Sequence, residues 1–318
     1  MTIDRALGGN PFAIDQFRCY EAATSLSRFT PTPVVEPWGT LPRREQLTFK
    51  ALFISICHQF NWNFLQDAMA SWLLPHPTER LPELERIRPS DISGLLRGYP
   101  KQERVRAHER ARMLRDTGRA LSALHGEGVL DQLIEEARLD GAGGFYAAMK
   151  AVPAFAEDRL EKKVRVLAHD VFRERIISFC DPGNLRPAVE YHLLRLYLRT
   201  GRVYPTDQAV RESLLSADLT SRGRLVALLR GAVEEAMYLT SFYADIDVAT
   251  LNYVEWQIAR TLCTPNLPAH CVGRPKEALP EDIAALCLGS CAFSSFCRSL
   301  TEPNYGWYHE PQFQKAIY

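Results

Sequence analysis

The chain has no charge bias. Its 318 residues carry 38 basic and 38 acidic side chains. No uniform field draws it to a polyanion, so any nucleic-acid contact has to come from a local basic face. Long apolar runs are missing too. The longest early one, residues 51–57, is far too short to cross a bilayer. The opening residues Met1-Thr2-Ile3-Asp4-Arg5 hold no apolar stretch of signal-peptide length. These absences predict a cytoplasmic protein with no membrane association. No useful segment alternates polar and apolar residues, which argues against a β-rich fold. Internal repeats and low-complexity tracts are also lacking.

What is present is helical. With 46% hydrophobic and 10% aromatic residues, the chain can bury a substantial core and fill one large domain or two ordinary ones. Phe49, Leu52, Phe53, Ile56 and Phe60 recur at spacings of three and four, which puts them on one face of a helix over 44–74. Similar patterns predict helices over 11–27, 104–125, 129–137, 145–151, 160–179, 186–199, 207–213, 221–240 and 248–262. A short helix over 91–96 is expected, with Ser90 as its N-cap. Pro31, Pro33, Pro37 and Pro42 interrupt the start of the chain. Gly141-Ala142-Gly143-Gly144 reads as a flexible break. The expected organisation is an N-terminal arm (1–45), a helical core (46–262) and a terminal segment (263–318). The core is expected to have lobes at about 46–150 and 151–262, the arm joining the second.

Five of the eight cysteines lie in that terminal segment: Cys263, Cys271, Cys287, Cys291 and Cys297. The last three read Cys-x3-Cys-x5-Cys. In a reducing compartment, clustered cysteines are metal ligands more often than disulfide partners. Thiolates suit an iron–sulfur centre or a tetrahedral zinc.

Three further stretches carry candidate chemistry. In Val189-Glu190-Tyr191-His192 a carboxylate opens a helix. It is either a reactive group or a first-turn acid complementing the helix dipole. In the second, the small-residue turn Val152-Pro153-Ala154-Phe155-Ala156 precedes Lys162 and Lys163. The alternative there is an ordinary loop with an exposed basic face. In the third, Ser55-Ile56-Cys57-His58-Gln59-Phe60-Asn61-Trp62, polar His58 and Gln59 interrupt an apolar helix. They line a pocket or are satisfied core polar groups.

In this order, the pieces resemble the helix-hairpin-helix DNA glycosylase superfamily, in its iron–sulfur, endonuclease III-like branch. Ser55 to Gln59 approximates that branch's Ser-x-x-x-x-Gln element. Arg110, Leu114, Gly118 and Leu121 are similar to its Arg-x-x-x-Leu-x-x-x-Gly-x-x-Leu helix. Residues 152–156 with Lys162 or Lys163 resemble its hairpin. Residues 189–196 resemble its catalytic Val-Asp-x-His-x-x-Arg stretch. Trp256, Arg260 and Cys263 resemble the helix leading into its cluster. The chain also resembles the queuosine salvage glycosylases, in residues 110–128, 162–170, 189–191 and 253–260. Together the two likenesses cover roughly residues 45–300. It departs from the superfamily pattern at Ala154 and Ala156, where hairpin glycines are usual, at Glu190, where Asp is usual, and in its cysteine spacing.

The resemblance implies an all-α, two-lobed glycosylase-like fold closed by a cysteine-ligated metal loop. It implies a DNA N-glycosylase that extrudes a damaged or modified base and hydrolyses its N-glycosidic bond. Catalysis would rest on Glu190, with Lys163 at the position of a Schiff-base lysine and Lys162 as its neighbour. Substrate contacts would come from His58, Gln59, Trp62, His192 and Trp256. A [4Fe-4S] cluster, with zinc as the alternative, would be held by four of the five cysteines. Arg260, Arg274, Lys276 and Arg298 would add phosphate contacts. The partner would be DNA with a modified base, bound by a monomer. Alternatives are a salvage enzyme acting on a free modified nucleoside and a non-catalytic nucleic-acid-binding Fe–S protein.

Overall fold

A computed structural model describes residues 9–32, 36–216, 223–264, 279–287 and 289–309. In chain order the elements are β1 (Phe12–Ile14), α1 (Gln16–Leu26), α2 (Arg43–Ile56), α3 (Trp62–Leu73), α4 (Leu81–Leu84), α5 (Pro89–Leu95) and α6 (Ala107–Gly126). Next come α7 (Val129–Glu136), α8 (Phe145–Met149), α9 (Pro153–Ala156), α10 (Lys162–Arg173), α11 (Tyr191–Thr200), β2 (Val203–Pro205) and α12 (Gln208–Ser216). The chain continues through α13 (Arg224–Ala244), α14 (Val248–Thr261), α15 (Glu281–Leu286), α16 (Arg298–Thr301) and α17 (Pro303–Gly306). The fold is all-α. Its two short strands pair antiparallel, Ala13 opposite Tyr204. Three residues are too few to show alternation in a sequence, so the pair was not foreseen.

The chain divides into two compact units. The first takes in described residues up to Thr32 and from Val189 onward; the second ends at Ala188. In the first unit α1 packs along α13, and α11 lies against α13 and α14. Leu26, Leu193, Tyr197, Leu229, Met237, Leu251, Ile258 and Phe293 share its core.

The second unit is organised around α6, which touches α2, α4, α5, α7 and α9. Arg110, Leu114, Gly118 and Leu121 recur on one face of α6, and all four are buried. Gly118 has a steric reason to be glycine. A β-carbon there would come within 3.0 Å of Leu84 Cβ on α4.

Several expected boundaries move. The helix expected over 44–74 is two helices. Gln59 adopts a left-handed backbone (φ 51°), and Asn61 caps α3 by accepting the Phe64 amide at 3.0 Å. Ser90 is not an N-cap. Arg88 takes that place, Pro89 opens the helix, and Asp91 accepts the Arg88 amide at 2.8 Å. The helix expected from 186 begins at Tyr191, because Pro187 disfavours helical backbone before it and Glu190 is extended (φ −129°, ψ 175°). The glycine break at 141–144 is a built turn. A β-carbon on Gly144 would lie 2.6 Å from the Asp140 carbonyl oxygen. No helix among the described residues is long and apolar enough to cross a membrane.

Candidate active site

The sequence-predicted residues fall into two groups, one in each unit. Glu190, His192, Trp256 and the described cysteines belong to the first; His58, Gln59, Trp62 and Lys163 belong to the second.

Glu190 is the N-cap residue of α11, but its side chain makes no capping bond. Its backbone carbonyl accepts the first helical bond, from the Leu194 amide at 3.0 Å. The approach to the helix is fixed from α13, where Arg230 Nη1 donates to the Val189 carbonyl at 2.8 Å. The carboxylate is buried, its side chain 8% exposed, and lies 3.8 Å from His192 Nε2. His192 stands against the Tyr191 ring, centroids 4.1 Å apart. From α14, Arg260 stacks on Trp256 at 4.4 Å. Burial pulls Arg260 below the usual arginine range, and the charge of Glu190 pulls it back up. The arrangement is a buried carboxylate faced by an imidazole and a guanidinium. Arg260, expected as a phosphate contact, instead covers Trp256 and balances Glu190.

In the second unit, the carbonyl end of α2 is gripped by two cations. Lys163 Nζ donates to the Ser55 carbonyl at 2.6 Å. Arg110 donates to the Ile56 carbonyl at 3.2 Å and the His58 carbonyl at 2.8 Å. Helix C-termini leave carbonyls without internal partners and carry partial negative charge, so both contacts are favourable. Burial holds Lys163 below the usual lysine range. His58 is buried, with Nε2 3.3 Å from Glu109 Oε1. Burial drives its pKa down to about 4, so at neutral pH the contact is between a neutral imidazole and a carboxylate. Trp62 Nε1 donates to Gln66 at 3.1 Å, and its ring meets Phe53 edge-on. Gln59 is half-buried beside it in the loop.

Asp158 was not anticipated. It accepts the amides of Leu160 (3.2 Å) and Lys163 (2.7 Å). The hairpin amides of Phe155, Ala156 and Glu157 donate back to Val152 and Pro153 carbonyls at 2.9–3.0 Å. The hairpin's donors are thus satisfied internally.

Cys263, Cys287, Cys291 and Cys297 are buried free thiols of the first unit; Cys271 lies outside the described residues, as do Arg274 and Lys276. Among the described residues, no three His, Cys, Asp or Glu side chains converge as ligands. Two of the thiols are nevertheless tied to one residue. Arg199 Nη1 donates to Cys263 Sγ at 3.8 Å, and Cys297 Sγ donates to the Arg199 carbonyl at 3.4 Å. Arg199 is 1% exposed. Among the described residues its Nε and Nη2 have no hydrogen-bond partner. Arg298, another expected phosphate contact, is engaged by Tyr305, Asp15 and Glu302. A cavity of about 690 Å³ opens in the first unit between Thr24, Arg28, Glu281 and Asp282. Glu190 does not line it.

No family model matches the chain, and no curated protein does. Among solved structures, it is similar to the 8-oxoguanine DNA glycosylase from Pyrobaculum aerophilum complexed with 8-oxoguanosine. The TM-score is 0.40 and the identity 12%, over 86% of this chain and 96% of that one.

Proposed function

We propose that the protein is an N-glycosidase that extrudes a damaged or modified base from DNA and hydrolyses its glycosidic bond, acting as a monomer. One observation carries the reading: Glu190 is a buried carboxylate at a helix start, excused from capping and faced by His192 and Arg260. Departure of a base leaves positive charge on the sugar. Glu190 opposes that charge and takes the proton of the attacking water. A base within a duplex reaches such a group only after extrusion, and Trp256 and His192, in the same unit as Glu190, are the residues to receive it. Lys163, held below its usual range, is the candidate nucleophile for a Schiff base, with Lys162 beside it as the alternative. Its bond to the Ser55 carbonyl favours hydrolysis instead. Four of the five terminal cysteines would hold a [4Fe-4S] cluster, or zinc.

A second reading has its own support. The superfamily hairpin grips a DNA phosphate with backbone amides. Here Asp158, Val152 and Pro153 already take the amides of residues 155–157, 160 and 163. That favours a free modified nucleoside as substrate. The test is incubation of wild type and Glu190→Gln with defined modified duplexes and with free modified nucleosides. Base released from duplexes by wild type only supports the first reading. Release from nucleosides alone establishes the second. Equal release by the variant overturns both.

A further inference from the structure

Arg195 reaches beyond the packing of the first unit. It is fully buried on α11, about one turn after His192. Its Nε donates to the Cys263 carbonyl at 2.5 Å, and its Nη2 donates to the Ala259 carbonyl at 2.9 Å. Both acceptors lie in or just past the last turn of α14, so the guanidinium is held from outside its own helix. The same Nη2 stands 2.9 Å from His192 Nδ1. A guanidinium donates only and accepts nothing. At that contact the imidazole nitrogen has to accept, which puts the ring's proton on Nε2. Nε2 is the atom that faces Glu190 Oε1, at 3.8 Å. The Tyr191 ring lies against the imidazole, centroids 4.1 Å apart, and limits its turning.

We propose that Arg195 is a positioning residue that fixes His192 as an Nε2–H donor aimed at the Glu190 carboxylate. The inference rests on the glycosidase reading of Glu190 made above. In this role the imidazole orients the carboxylate and carries no proton through the reaction. With Nε2–H on Oε1, the second carboxylate oxygen is left to take the proton of the attacking water. The 3.8 Å separation is longer than a hydrogen bond, and catalytic contacts that are long in a free enzyme commonly close in its substrate complex. The opposite tautomer would set an Nδ1–H against the Arg195 N–H and leave Nε2 a lone pair facing a carboxylate, so both neighbours of the ring select the same form.

The test uses the full chain with isotope-labelled histidine, as wild type, Arg195→Met, His192→Gln and His192→Ala. Proton–nitrogen correlation spectra of the rings, taken at about pH 8 where an ordinary histidine is neutral, tell Nδ1–H from Nε2–H. The signals missing from His192→Gln identify His192. Wild type should show Nε2–H, and Arg195→Met should lose that preference. Base release from modified duplexes and from modified nucleosides is measured beside it. A hydrogen bond to a charged group is typically worth roughly 10–100-fold in rate. His192→Ala should lose about that much, and His192→Gln, which keeps an N–H donor but cannot shuttle a proton, should recover most of it. Arg195 also anchors the Cys263 segment. Should Arg195→Met fail to fold, the wild-type spectrum and the two His192 variants decide, because they leave that anchor in place. An Nδ1–H ring in wild type, an unchanged tautomer in Arg195→Met, or His192→Gln as slow as His192→Ala overturns the proposal. Wild type that shows Nε2–H but releases no base from either substrate overturns the glycosidase reading, and the orienting role with it, while the tautomer assignment stands.

Discussion

Glu255 is the residue whose loss should cost the first unit most. It is fully buried on α14, and its partner Arg202 is fully buried too. The Arg202 guanidinium bonds to Glu255 Oε1, and the Tyr197 hydroxyl donates to Oε2 at 2.7 Å. The guanidinium lies over the Tyr197 ring at 3.7 Å and the Phe293 ring at 4.9 Å. Its Nε donates to Thr200 Oγ1 at 3.1 Å. Glu255→Leu would leave that cation in a dry core with one hydroxyl for company. Breaking a buried pair from one side costs about 3–5 kcal/mol. The Tyr197 hydroxyl would also lose its charged acceptor. With a urea slope of about 3 kcal/mol per molar for a sizeable unit, the midpoint should fall by about 1–2 M. The paired change Arg202→Met with Glu255→Leu removes both charges and should recover most of the loss, since apolar replacement of a whole buried pair is often neutral. Urea titrations followed by circular dichroism measure both. A single variant within about 1 kcal/mol of wild type, or a double variant no better than the single, would refute this account of the core.

Glu174 makes a pH-dependent prediction. It shares the buried Lys50 with Asp170, accepts Trp38 Nε1–H at 3.0 Å, and burial raises its pKa to about 7. A folded-state pKa raised from 4.5 contributes stability that is full below about pH 4.5 and lost as pH rises through about 7. Melting temperatures taken between pH 4.5 and 8 should decline in that window, and Glu174→Gln should flatten the decline. His58 runs the other way. Its pKa falls to about 4, so its contribution is full above about 6.5 and lost as pH drops toward 4; its ring resonances should report a neutral imidazole at pH 5.5. Lys163→Met removes the donor to the Ser55 carbonyl and should cost about 1–3 kcal/mol. Borohydride treatment of wild type with modified DNA should leave no covalent adduct; an adduct lost in Lys163→Met would replace hydrolysis by Schiff-base chemistry.

The helices could be read from the chain because their apolar spacing is regular. The interruptions could not. The break at 57–61 depends on a left-handed Gln59 and an Asn61 cap, neither of which alters the three-and-four rhythm of the phenylalanines around them. Glu190, the cysteines and Lys163 were visible as residue types at suggestive places. Their partners were not. Glu109 is 51 positions from His58, and Arg110 reaches back to carbonyls at 56 and 58. Such contacts are set by how α6 crosses α2. Asp158 was missed for a different reason. One carboxylate among several in residues 157–161 gives no hint of which amides it will collect.

Helix α11 links the buried Glu190 to the Cys263 segment. Glu190 stands at its start, and Arg195 and Arg199 hold the Cys263 segment from its last two turns. Nine residues separate Glu190 from Arg199, about 13 Å at the rise of an α-helix. The Cys263 segment is thus tied to the end of the helix whose start carries the carboxylate. Arg195 strengthens the link, because the nitrogen that bonds Ala259 also lies 2.9 Å from His192 Nδ1. His192 is the residue nearest the Glu190 carboxylate along the helix. Loosening the cysteine segment therefore reaches the site through Arg195 and His192. On the reading proposed above, Glu190→Gln should abolish base release, and loosening the Cys263 segment should lower it by displacing the imidazole that faces Glu190.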